Sequence, residues 1–453
     1  MILMIKSIFS LDMLTKYSSV VLGAIFILLL FPWSAQAYTL GDDTPYGYGA
    51  GTTGGGSGTP YSVTAYDQFI TRIAAIKSDS SLSRVIRIDS DIVCTRGTRT
   101  KTDMSDNKPY TFSTAALINL PSNFTLYSEG GYMLHHCGLM IDKATNVIVR
   151  NIGIGESYVS QTAFPYPDTF TYTLQTNANG AGTAGTVVTF KKSDDINTQL
   201  KAAKWIDTDA ANRSMSGFLI YQALVGDLYG TDGILIQDST QVWIDHCKIW
   251  KTEDGGIDVI NSPSVTISNN EFEYIDKVLS IFSKSTSTPS RVSLYNNYFH
   301  YSNQRIPKVA DSSIVDSFNN VYDNVAQEIS PAAVTNKNIY EISNWQRGGY
   351  AVNAAVGSDT GTGGIIYATQ NGFGPGVPAS ERYISNPGGS IMFVSNYHKT
   401  SPSTMEAIED YIKVNSGVTI NLYPGMVISS MSDIATYNEI INRAGAWNGA
   451  LAY

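Results

Sequence analysis

Six short stretches carry the same alternation of apolar and polar positions: FTLYSE (124–129), VIVRNI (147–152), VWIDHC (242–247), VTISNN (265–270), VSLYNN (292–297) and VDSFNN (315–320). Most read apolar, any, apolar, any, then Asn or His. VDSFNN keeps the opening valine and the Asn pair but places Ser317 third. Alternation with a period of two predicts strands with one buried face. Phe124 and Val147 are 23 residues apart, and Val242, Val265, Val292 and Val315 follow at intervals of 23, 27 and 23. A repeat of that length marks a solenoid, because one such unit is too short to bury a core alone. The pattern therefore predicts an all-β parallel β-helix, one rung per turn of chain, with rungs about 4.8 Å apart. The fifth positions, Asn151, His246, Asn269, Asn296 and Asn319, then stack in a column where amides bond one another and the turn backbone.

Outside the repeat the patterning changes. AYDQFITRIAAIKS (65–78) places Phe69, Ile70, Ile73 and Ile76 at helical spacing, and VIRIDSDIVC (85–94) follows as strand. The 95 residues between Val147 and Val242 leave room for further rungs, interrupted by a surface excursion over about 157–215. The core motifs occupy 115–325, and residues 326–453 form a covering segment with two predicted helices, 404–414 and 434–445. Residues 38–60 are rich in Gly, Thr and Ser and are predicted as a loose lead-in. Their GxGxxG match, Gly49 to Gly54, has no strand before it and no helix after it, so it predicts no phosphate cradle.

Composition narrows the class. Lys6 and Lys16 precede the apolar run Val20–Phe31, and Ala35-Gln36-Ala37 follows: a secretory leader over 1–37, too short in its apolar part to span a bilayer. A secreted protein is expected, extracellular or periplasmic in transit, monomeric, with no membrane attachment after cleavage. The net charge of −9 argues against nucleic acid, so any acidic ligand must be drawn by local cations. Cys94, Cys137 and Cys247 allow at most one internal disulfide and match no zinc spacing. His135 and His136 are neighbours whose side chains diverge on a strand, a poor metal pair.

The repeat also orders the charged residues. Asp254 stands 12 after Val242, Lys277 12 after Val265, and Arg305 13 after Val292; Asp232 lies 10 before Val242, as Arg305 lies 10 before Val315. Equal offset means an equal sector of the solenoid, so Asp232, Asp254, Lys277 and Arg305 line one side of four rungs, with Asp258 close by. Gly255-Gly256 permits a bend that brings Asp254 and Asp258 together. Three carboxylates without His or Cys suit Ca²⁺. A solvated acidic patch with Lys277 as counter-charge accounts for the register equally well.

The motifs VWIDHC, DGGID (254–258), VTISNNEF (265–272), Asp276-Lys277, VSLYNNYF (292–299) and QRIPK (304–308), in this order, resemble the family-1 pectate lyases. Weaker similarity runs from SNFTLYSEGG through NVIVRNIGI. The resemblance implies a right-handed β-helix lyase domain over 61–453 that takes polygalacturonate, an acidic polysaccharide. It also implies Ca²⁺ held by Asp232, Asp254 and Asp258, Lys277 on a substrate carboxylate, and Arg305 as the base of a β-elimination giving 4,5-unsaturated oligogalacturonates. Arginine is a poor base at neutral pH, so an alkaline optimum is expected. Two positions depart from the family pattern: Ala310 replaces a second arginine, a role Lys308 can take on a carboxylate, and Gly230 replaces an acidic residue.

Three alternatives remain open at this level. A pectin lyase acts on methyl-esterified polymer, but a neutral ester needs neither the carboxylates nor Lys277. A β-helix that only binds polysaccharide is the reading Ala310 and Gly230 favour. A glycoside hydrolase needs a free carboxylic acid, and these carboxylates look committed to metal.

Overall fold

The computed structural model describes residues 44–102, 109–157, 169–173, 187–191, 231–252, 255–273, 275, 277–283, 288–302, 305–325, 353–354, 363–377, 389–415 and 429–446. The leader 1–37, Asp254, Asp276, Gly230 and most of the excursion lie outside them.

A complete turn of chain contributes one strand to each of three sheets, which have seven, eleven and ten strands among the described residues and pair in parallel except at the last strand of the second and third. One complete turn runs Gly255–Ile260 in the first sheet, Val265–Ser268 in the second and Glu271–Glu273 in the third. The next turn begins with Lys277–Phe282 beside Gly255–Ile260. This is the parallel β-helix expected from the repeat, with the right hand that the resemblance implies.

The repeat maps onto the second sheet in register: Phe124, Val147, Val242, Val265, Val292 and Val315 are successive lateral partners. All are fully buried, as are the third positions Leu126, Val149, Ile244, Ile267 and Leu294. Ser317 falls in that dry third column and is still satisfied: Asn320 Nδ2 donates to its Oγ at 3.1 Å, and the Tyr322 hydroxyl lies 3.4 Å away. Inside the third sheet, Phe272, Phe299, Tyr322 and Phe373 stack at 4.8, 5.0 and 4.9 Å, the rung spacing itself.

The amide column lies one residue later than the pattern suggested. The fifth positions Asn151, His246, Asn269, Asn296 and Asn319 all adopt φ between 49° and 55°, the left-handed turn conformation that asparagine tolerates better than most residues. The turn sends the sixth side chain inward. Asn270, Asn297, Asn320, Asn371 and Asn396 are fully buried, and each amide oxygen accepts the backbone N–H of the preceding rung at 2.8–3.0 Å.

The 95-residue gap holds no additional rung among the described residues. Val147 pairs directly with Val242, and the first-sheet strands Cys137–Asp142 and Ile234–Gln237 are likewise adjacent. The excursion leaves after one turn and rejoins at the next, carrying its own antiparallel pair, Thr169–Thr173 with Val187–Lys191.

Over its described residues, 44–60, the lead-in is not loose. Its backbone runs across the outer face of the second sheet over successive rungs: Tyr48 N–H donates to Ser293 Oγ (2.9 Å), Gly49 N–H to Thr266 Oγ1 (3.0 Å), Gly54 N–H to Asn146 Oδ1 (2.8 Å) and Gly55 N–H to Thr125 Oγ1 (2.9 Å). Glycine is required for the approach, since a Cβ on Gly49 would stand 2.7 Å from Thr266 Oγ1 and 2.9 Å from the Val242 carbonyl oxygen. The composition that reads as a flexible linker here encodes a strap.

Both ends are covered. Helix α1 (Tyr66–Ser78) turns Phe69, Ile73 and Ile76 into the core and leaves Ile70 outside. The strand predicted over 85–94 is broken into Val85–Ile88 and Ile92–Val93. At the other end, 404–414 is not a helix: Thr404–Ala407 and Tyr411–Lys413 pair antiparallel with the last strands of the third and second sheets. A terminal rung exposes an unpaired edge, and satisfying it outweighs a marginal helical pattern. Helix α2 (Ile434–Arg443) is N-capped by Asp433, whose carboxylate accepts from Ala435 N–H at 2.9 Å. Cys94 and Cys137 form the disulfide; Cys247 is a buried free thiol, pushed up to about 12 by burial. No helix of the described residues is long and apolar enough to cross a membrane.

Candidate active site

The outer face of the first sheet carries the candidate residues. Alternation along its strands points every second side chain outward, and lateral pairing lines these up as Asn119, Met140, Leu235, Asp258, Ser280 and Lys308. Three uncharged rungs (Asn119, Met140, Leu235) thus precede Asp258, and Ser280 and Lys308 follow it. Lys277 and Arg305 each stand three residues before the paired positions Ser280 and Lys308. Lys277 also pairs with Gly255.

Gly255 is where the acidic residues meet. Its N–H donates to Asp232 Oδ1 at 2.9 Å. A Cβ built on Gly255 would stand 2.7 Å from Asp232 Oδ1 and 3.1 Å from Asp258 Oδ1, so two carboxylates from adjacent rungs close over one bare Cα. Gly255 and Gly256 belong to the strand Gly255–Ile260, and neither has a positive φ. The glycine pair therefore serves close packing rather than the sharp bend expected. Asp254, the third expected ligand, lies outside the described residues. The cradle is polar, partly open and built of hard oxygens. That donor set fits a calcium ion, for which Asp232 and Asp258 would be ligands.

The cationic residues lie on the rungs beyond. Arg305, half-buried and held at φ 58°, donates from Nη1 to Ser280 Oγ at 3.1 Å. A non-glycine residue in this region costs about 1 kcal/mol and tends to occur at functional positions. Its carbonyl also accepts from Leu279 N–H at 2.7 Å, tying it to the strand that carries Lys277. Burial, and next the like charge of Arg305, hold the Lys308 ammonium below the ordinary lysine range, against the pull of Asp311 and Asp258. Ala310 is 3% exposed, with its N–H donating to the Ile281 carbonyl.

Sequence reasoning gave no role to Ser280. Its signal was available: it occupies the outward position of Lys277–Phe282, between an acidic and a basic rung.

A second acidic group, Glu271, Glu273 and His300, lies on the third sheet. Lys248 Nζ already sits between its carboxylates, 3.2 Å from Glu271 and 2.9 Å from Glu273, and His300 Nε2 is 2.9 Å from Glu271. It is an ion-pair network joining adjacent rungs. His135 and His136 both turn toward Glu156: His135 Nδ1 meets its carboxylate at 3.0 Å, and His136 Nδ1 lies 2.9 Å from its carbonyl oxygen.

The fold and groove define a class: a parallel β-helix presenting acid and base side by side on one outer sheet. Comparison with known proteins places the resemblance. The family model described as pectate lyase matches residues 218–421. Pectate lyase D of Dickeya chrysanthemi is 24% identical over 337 residues, 66% of this chain and 68% of that protein. Putative pectate lyase 2 of Arabidopsis thaliana is 52% identical over 58 residues, 12% of this chain and only 15% of the plant protein. Among solved structures, a pectate lyase bound to a hexasaccharide aligns with TM-score 0.55 at 18% identity, covering 92% of this chain and all of the other. The chain resembles the pectate lyases of polysaccharide lyase family 1 in sequence and in fold.

Proposed function

We propose that this chain is a secreted, calcium-dependent pectate lyase that cleaves polygalacturonate by β-elimination. The observation that carries the reading is the meeting of Asp232 and Asp258 over Gly255, with Arg305 tied to Ser280 on the rung beside Asp258.

Lys277 and Lys308 bind uronate carboxylates and fix the sugar across the rungs. Asp232, Asp258 and Asp254 would hold calcium, which would supply positive charge beside the carboxylate next to C5 and so acidify the C5 proton. Arg305, in its neutral form, takes that proton. The electron pair released forms the C4–C5 double bond, the C4–O bond breaks, and the departing oxygen takes a proton from solvent. The products are a new reducing end and a 4,5-unsaturated sugar.

A second reading, a pectin lyase acting on methyl-esterified polymer, draws on one observation. Leu235 and Met140 occupy the rungs before Asp258, and Leu117, 47% exposed, faces the same way. An apolar floor favours an ester over a carboxylate.

One assay separates these. Ultraviolet absorbance of unsaturated product is followed on de-esterified and methyl-esterified polymer, with calcium or EDTA, for wild type and Arg305→Ala. The pectate lyase reading expects product from polygalacturonate only with calcium, and at least about a hundredfold loss in Arg305→Ala. Product from esterified polymer that survives EDTA would establish the pectin lyase reading instead. No product from any uronate polymer would leave a binding protein.

A further inference from the structure

We infer that Ser280 is a positioning residue for Arg305, holding the guanidinium over the sugar that the acidic cradle receives. The inference rests on the lyase reading for its catalytic meaning and on the geometry alone for the positioning.

Three observations carry it. Ser280 is 3% exposed and fixed in the strand Lys277–Phe282, so its hydroxyl is a rigid anchor. Its lateral neighbours in the outward column are Asp258 on one side and Lys308 on the other, which places it between the metal-binding and carboxylate-binding rungs. Arg305 Nη1 donates to its Oγ at 3.1 Å.

The chemistry of a hydroxyl suits a base that must lose its proton. Arginine has a long side chain with many rotamers, and an unanchored one spends little time in reacting geometry. A carboxylate partner would anchor it but would also favour the charged form, which cannot act as a base. A hydroxyl can accept an N–H from the guanidinium and can rotate to donate its own hydrogen to the neutral form. Ser280 thus restrains Arg305 in either protonation state. It occupies one nitrogen and leaves the others for the substrate.

The test compares Ser280→Ala and Ser280→Thr with wild type. The direct readout is the order of the Arg305 Nε–H vector from nitrogen relaxation, which needs no turnover. The vector should be ordered in wild type and Ser280→Thr and mobile in Ser280→Ala, with an unchanged melting temperature. On polygalacturonate with calcium, Ser280→Ala should lose about tenfold in kcat, with KM within about twofold, and Ser280→Thr should regain most of it. An Arg305 equally ordered in Ser280→Ala overturns the inference, as does an unchanged kcat or a Thr variant no better than Ala. An ordered wild-type Arg305 in a protein that makes no unsaturated product would overturn the lyase reading and leave the positioning intact.

Discussion

Arg150 Nε donates to Asp245 Oδ2 at 2.9 Å, joining two residues 95 apart in the chain but facing each other on adjacent rungs of the second sheet. Asp245 is fully buried, and its other partners complete the shell: His246 Nδ1 at 2.7 Å, Ser268 Oγ at 2.7 Å and Asn269 Nδ2 at 2.8 Å. The Arg150 guanidinium lies over the Trp243 ring, 5.0 Å from its centroid. This network closes the stack where the excursion departs.

Burial by itself would raise the Asp245 carboxyl, but His246, Arg150 and Asn269 hold it below the usual carboxylate range. A carboxyl depressed by folding contributes stability in full above its unfolded value, near pH 4. That contribution is lost as pH falls through the folded value. Asp245→Asn should cost about 3 kcal/mol at neutral pH by breaking a buried, hydrogen-bonded ion pair. The loss is that of the buried carboxylate charge met by Arg150 and His246, and it should also flatten the acid limb of stability. Denaturant midpoints measured from neutral to acid pH check both.

The asparagine ladder separates two roles that look alike in sequence. Asn297→Ala removes the acceptor for Asn270 N–H and the donor to the Ile267 and Tyr295 carbonyls, and should cost about 3 kcal/mol. Asn296→Gly, at the left-handed turn position with φ 55°, should cost far less because glycine adopts that conformation freely. Thermal unfolding of the pair is the measurement.

Gly255→Ala should strike calcium rather than the fold. The added methyl meets the ends of two side chains, Asp232 and Asp258, which can swing aside but then no longer converge. We expect calcium affinity to fall at least about tenfold, or about 1.4 kcal/mol, with the melting temperature of the metal-free protein little changed. Calorimetric titration with calcium reads the first, and a melt in EDTA the second.

Lys308 sets an alkaline ceiling. Because burial and Arg305 lower its proton affinity, its ammonium is lost below the ordinary lysine value as pH rises, and with it the contact to a substrate carboxylate that the lyase reading assigns to it. KM should therefore climb on the alkaline side, with kcat much less affected. Lys308→Arg keeps the charge and should delay the climb. KM and kcat measured separately across alkaline pH check this.

Much of the fold was legible because one period controls it. The valines at intervals of 23, 27 and 23 mark the rungs, and counting from them places Asp232, Lys277 and Arg305 in one sector of the solenoid. Other features depend on contacts no local pattern reports. The ladder sits at Asn270 rather than Asn269 because the turn conformation, not the strand alternation, decides which amide points inward. Residues 404–414 are strands because the last rung needs a partner, a tertiary demand. Three cysteines could not announce that Cys94 and Cys137 meet, and Ser280 reads as an ordinary strand residue until Arg305 is seen bonded to it.

The strap over residues 48–55 touches the Ser293 rung near one end and the Thr125 rung near the other. It works as a ruler laid against the stack. Were a rung duplicated or lost between those marks, its anchors would fall out of step with the hydroxyls and amides that receive them. The number of turns in that part of the solenoid is thus tied to the length of a glycine-rich segment far away in the chain.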